Sequence, residues 1–136
     1  MSARSDVETD IAICIEDCDE AELLLVLCES LGDAVRVALG SVPEDERHYY
    51  QFSQAYLVLE PSRPSGFGEC WLRGELPWPD SVIFGRAMAS RLGRRVFCDP
   101  GAHYPEVHPA SDAFLLVDAD GERIVDIEEI EEQDDT

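Results

Sequence analysis

"DIAICIEDCDEAELLLVLCESLG" (Asp10–Gly32) changes its period partway along, and that change decides the fold. From Asp10 to Glu16, Ile11, Ile13 and Ile15 alternate with smaller or polar residues, the period of two that a strand requires. From Asp19 onward, Leu23, Val26, Leu27 and Leu31 recur at helical spacing. Asp17 or Asp19 is placed to cap the helix, and acids in its first turn favour the dipole. Gly32 is a stop signal. The stretch predicts a strand over 10–16 followed by a helix over 19–31.

The same alternation of periods runs through the rest of the chain. "DAVRVALG" reads as a strand with Val35 and Val37 on one face. "SVPEDERHYYQFS" reads as a polar loop with an aromatic end. "QAYLVLE" and "ECWLRGEL" are strands on either side of the Pro/Gly loop "PSRPSGFG". "PWPDSVIFGRAMASRLG" predicts a second helix over 81–92, capped by Asp80 or Ser81 and stopped at Gly93. "RRVFCDP" is a strand, and "DAFLLVDADGERIVDIEE" a β-hairpin turning at Ala119–Gly121. Gly32 and Gly93 lie 61 positions apart, as do Leu31 and Leu92, and Val35 and Val96. "AYLVLE" also resembles "AFLLVD". A duplicated βαββ unit is one reading of these matches; recurrence of apolar periodic text is the other. Either way the expected class is α+β in two layers. A mainly antiparallel sheet of about six or seven strands would carry two helices on one face. Residues 1–136 are expected to form one domain, with residues 1–9 and 131–136 as flexible termini.

Charge narrows the partners. The chain has 136 residues and a net charge of -20, from 30 acids against 10 Arg and no Lys. Residues 1–60 and 101–136 each sum to -11, whereas residues 61–100 sum to +2. So acidic a surface repels nucleic acid and anionic membrane and attracts basic partners. No segment has the roughly 18 apolar residues of a membrane span, and "MSARSDVETD" has no secretory apolar region. Five cysteines, mostly within apolar runs, fit free thiols in a reducing cytoplasm.

Catalytic signals are weak. Cys98, His103 and His108 have the types of a zinc site but no standard ligand spacing, and an ordinary loop explains them better. Cys98 with His103 or His108 as base would make a nucleophile pair, although Cys98 ends an apolar strand, which argues for burial. Phosphate-binding, dinucleotide-binding, nucleophile-elbow and zinc-protease patterns do not occur. "DADGE" (Asp118–Glu122) resembles half a calcium loop, but the residues that follow spell a strand. No metal, cofactor or catalytic residue is therefore expected. Two features suit a protein partner instead. One is the aromatic pair Tyr49 and Tyr50; rings of this kind are enriched at binding hot spots. The other is the acidic run of Glu128, Glu129, Glu131, Glu132, Asp134 and Asp135. Solvation and protection of a sheet edge are the alternative uses of that run. Trp71 and Trp78 read as core and lid.

"ELPWPDSVIFGRAMASRLGRRVFCDPG" (Glu75–Gly101), followed by "PEVHPASDAFLLVD" (Pro105–Asp118), in a small, very acidic α+β chain, resembles the immunity proteins of bacterial polymorphic toxin systems. The resemblance lies in size, charge and arrangement. It implies a cytoplasmic protein that binds a cognate toxin domain and holds it inactive, and it assigns no individual residue. A nuclease-type toxin with a basic cleft is the natural target. Acidic type III secretion chaperones are also similar in size and charge, but they usually begin with a helix, where this chain begins with a strand. A small Cys/His enzyme is the third reading.

Overall fold

The structure, a computed structural model, describes residues 9–37, 47–60, 66–107 and 113–126. Strand β1 spans Thr9–Glu16, so it starts one residue inside the stretch expected to be a flexible terminus. Helix α1 (Glu20–Leu31) follows at once, capped by Asp19, whose Oδ1 accepts the Glu22 N–H at 3.1 Å. Then come β2 (Val35–Val37), β3 (His48–Gln51), β4 (Ala55–Glu60) and β5 (Phe67–Gly74). Helix α2 (Ser81–Leu92) is capped by Asp80, whose Oδ1 accepts the Ile83 N–H at 2.9 Å. β6 (Val96–Cys98), β7 (Ala113–Asp118) and β8 (Gly121–Asp126) complete the order. None of the described helices is long and apolar enough to cross a membrane.

All eight described strands join one sheet in the order β2-β3-β4-β5-β1-β6-β7-β8, and every ladder among them is antiparallel. This is the expected α+β class, with more strands than the six or seven anticipated. One of the additional strands is β3, in the stretch expected to be a loop. Tyr49 and Tyr50 are good strand formers, and pairing on both sides, to β2 and β4, stabilises a segment too short to announce itself.

The succession strand–helix–strand–strand–strand occurs twice, but the two halves do not occupy equivalent places. α1 links β1 to β2 across three intervening strands, whereas α2 links β5 to β6 across one. Next to β5 lies β4, the end of the first half; next to β1 lies β6, the start of the run after α2. A duplicated unit is therefore not kept in the sheet. Shared helix periodicity and glycine stops account for the sequence match.

The core lies between sheet and helices. Ile11, Ile13, Ile15, Leu57, Leu59, Leu72 and Leu115 point to the same side as Leu23 and Leu27 of α1 and Phe84 and Met88 of α2, and all are nearly inaccessible. Burying each such side chain contributes about 1.5–3 kcal/mol. Trp78 belongs to this core, with its ring 4.7 Å from Phe84. A smaller cluster on the opposite face joins Phe97, Leu116 and Val125 to Cys14, Phe67 and Phe114. No described helix contributes to it.

Candidate partner-binding face

Adjacent residues of a strand point to opposite faces, so each strand offers one side chain in two to the face that no described helix covers. Cross-strand register then builds rows. One row runs Val37–Tyr49–Val58–Trp71–Ala12, and a second runs Val35–Gln51–Tyr56–Arg73–Asp10. The third contains Glu60, Glu69 and Cys14, followed by Phe97 and Leu116. The β6–β8 half of this face is closed, with Phe97, Leu116 and Val125 all under 5% exposed. The β2–β5 half is open: Val35 is 65% exposed, Tyr56 43% and Val37 38%.

A shallow hollow of about 320 Å³ lies in the open half, lined by Asp10, Arg47, Tyr56, Val58, Trp71 and Arg73. Arg47 rests over the Trp71 ring, 5.5 Å from its centroid, and its Nε is 3.7 Å from Glu60. Trp, Tyr and Arg are the residues that dominate binding hot spots, because they combine large rigid area with polar edges. Here all three types gather around one shallow, partly exposed hollow. Trp71, read from sequence as core, is half-buried on the face that no described helix covers.

Glu60 and Glu69 stand directly opposite each other in the β4–β5 ladder. Like charges in this position are destabilising. Burial raises the Glu69 carboxyl above the usual range, and the charge of Glu60 and a hydrogen bond with it raise it further; Arg47 acts against them. Cys14, across the ladder from Glu69, has its thiol pushed up to about 11 by burial and then by these two carboxylates. A carboxyl whose folded pKa is raised contributes stability that is complete below its unfolded pKa and lost as pH rises through the folded value. Glu69→Gln is therefore expected to raise stability at pH 7 by about 0.5 kcal/mol and to gain nothing near pH 4. Thermal melts at the two pH values check this; an equal gain at both would remove the charge repulsion as its cause.

The two tyrosines separate. Tyr49 lies on the open face, whereas Tyr50 points under α1 and is only 8% exposed. Its hydroxyl donates to Glu20, which also accepts from His48 Nδ1 at 2.8 Å, and Arg36 stands 5.9 Å from its ring. Tyr50 thus holds α1 to β3 and is not available as an exposed anchor. Glu128, Glu129, Glu131, Glu132, Asp134 and Asp135 lie outside the described residues.

The Cys/His candidates also separate. Cys98 is buried on the helix side, its sulfur 3.4 Å from where a Cβ on Gly85 would sit, and burial pushes its thiol up to about 12. A thiol so placed is a poor source of thiolate. His103 pairs with Asp80 at 2.8 Å, beside the start of α2. His108 is outside the described residues. Among the described residues, no group of three His, Cys, Asp or Glu side chains gathers as metal ligands would. Many acids have local uses. Glu16 pairs with Arg95 and Glu29 with Arg91. Glu122 binds Arg86 through two bonds of 2.8 Å, and that contact, the first cause, brings its carboxyl down to about 2. Compared with protein-family models, curated proteins and solved structures, the chain matches none.

Proposed function

We infer that the chain is an immunity-type inhibitor: it binds a toxin domain with a basic surface, stoichiometrically, and holds that domain inactive. The observation that carries this reading is the open half of the sheet face. It presents Tyr49, Tyr56 and Trp71 with two arginines beside them, on a molecule of net charge -20. Rings supply holding energy and the surrounding acid supplies speed of encounter. The acidic run at 128–135 serves the second purpose, steering a basic partner toward the face. A toxin acting on nucleic acid, with its basic cleft, is the target this charge suits best.

The test is capture from the native host with the tagged chain, identification of the partner by mass spectrometry, and assay of that partner's activity. The expected outcome is a basic toxin domain inhibited at one-to-one stoichiometry. Its association should slow steeply between low and physiological salt, because exposed charges are screened over about 8–10 Å. Replacing Glu128, Glu129, Glu131 and Glu132 with Gln should flatten that salt dependence. A captured secretion effector that keeps its activity in the complex would favour the chaperone reading and overturn this one.

A further inference from the structure

We propose that β2 is a docking edge, to which an extended segment of a basic partner protein adds as a further strand of the sheet. This deepens the immunity reading and rests on it for the identity of the partner.

Among the described strands, β2 and β8 end the sheet. An edge strand presents backbone N–H and C=O groups outward, and proteins shield such edges with charge or cover. β8 follows that rule. Its exposed positions are Gly121, Arg123 and Asp126, its Val125 is buried, and Arg86 and Tyr104 hold its Glu122. β2 does not follow it. Every residue of β2 is exposed, and its two ends are valines, Val35 at 65% and Val37 at 38%. Its charged residue, Arg36, turns to the helix side, toward the Tyr50 ring. Whichever β2 residues exchange hydrogen bonds with Tyr49–Gln51 of β3, the alternate ones direct N–H and C=O away from it. β2 therefore joins outward peptide groups to exposed β-branched side chains, the combination that invites another strand.

Local chemistry selects the occupant. In a second copy, the two-fold antiparallel register that pairs all of β2 sets Arg36 against Arg36, and it brings another net -20 against the first. Lipid and nucleic acid have no peptide groups to complete a ladder. A protein segment has them, and residues 1–60, which include β2, sum to -11, so a basic segment is drawn in. Its side chains beside Val35 and Val37 continue the rows that run through Tyr49 and Tyr56, which lays the partner's body over the open face. β-branched or aromatic residues fit those two places, and an uncharged one fits beside Arg36.

The experiment uses the full chain at low salt and a peptide of alternating valine and threonine with lysines at both ends, read by chemical-shift mapping and a binding isotherm. Shifts should concentrate at residues 35–37 and 49–51. The same peptide with its central amides N-methylated keeps its charge and side chains but cannot complete the ladder, and should bind at least about tenfold more weakly. Val35→Lys with Val37→Lys should weaken binding by about the same factor. Asp118→Asn with Asp120→Asn makes an equal change in net charge at the β7–β8 turn and should weaken it less than about twofold. A melt checks the folding of each variant, and the methylated peptide tests the edge on the unaltered chain. No binding, equal binding of the two peptides, equal losses in the two double variants, or shifts confined to Tyr56 and Trp71 would each overturn strand addition. Failure of the immunity reading looks different: the peptide still maps to β2, but the captured host partner is not inhibited.

Discussion

Trp71→Ala is expected to weaken binding of the cognate partner about 100-fold, the largest loss of any single change on the sheet face. Truncating a central aromatic anchor costs about 2–4 kcal/mol, or some 30- to 1,000-fold in affinity. Two features put Trp71 at the upper end among its neighbours. It lies in the central row of the open half, between Val58 and Ala12, and its ring is the rest on which Arg47 lies. Removing the indole therefore removes contact area and releases a positioned guanidinium. Trp71→Phe should keep most of the affinity, since a ring remains. Leu25, 70% exposed on α1 at the opposite side of the molecule, supplies the control. If Leu25→Ala weakens capture and Trp71→Ala does not, the helix layer is the interface. Isothermal titration with the identified partner, alongside a melt for each variant, distinguishes these outcomes.

The largest expected effect on stability belongs to Gly74→Ala, at about 3–5 kcal/mol, or a fall in melting temperature of roughly 10–15 °C. Gly74 ends β5 and pairs with both Thr9 of β1 and Ala55 of β4. Its φ of +135° is a conformation that side-chain-bearing residues rarely adopt. A Cβ there would lie 2.3 Å from the Gln54 carbonyl oxygen and 2.6 Å from the Ala55 Cα. Both are backbone atoms, so no rotamer change relieves the contact, and the β4–β5 ladder must open locally. Gly93→Ala separates the two causes. Gly93 has φ +66° with nothing within 4 Å of its would-be Cβ, so its cost should be near 1 kcal/mol. Equal costs at the two positions, read from urea unfolding, would show that the close approach at Gly74 contributes nothing.

Both helices were legible because each carries three local signals together: an aspartate cap, apolar spacing and a glycine stop. The long strands were legible from alternation. β3 was not, because four residues carry too little pattern and its partners lie on other segments. That single miss also joined two tyrosines that the sheet separates. Read as a loop, Tyr49 and Tyr50 form one aromatic patch; as strand residues they face opposite ways. β5 hid the face for a related reason. In "FGECWLRG" large residues occur on both sides of the strand, which suggests burial on both sides, and only the absence of a described helix over Trp71 shows otherwise. The Glu60–Glu69 pair was beyond local reading, since it exists only through the register of two strands. By contrast, the acids at the start of α1 and the burial of Cys98 were anticipated from neighbouring residues alone.

The central place of β1 sets a timetable for synthesis. Its two neighbours, β5 and β6, are encoded far downstream. At about 5–20 residues per second, the roughly 50 residues from Glu16 to Phe67 delay the first neighbour by some 2.5–10 s. During that interval Ile11, Ile13 and Ile15 have no ladder to join, and α1 has no complete sheet to lie on. A nascent chain in this state presents apolar surface that chaperones bind and that other unfinished chains can pair with. Pairing across such sequence separations also slows folding itself, toward the millisecond-to-second range of non-local β topologies. A break anywhere between β1 and β6 therefore takes a neighbour from a central strand instead of releasing a stable half.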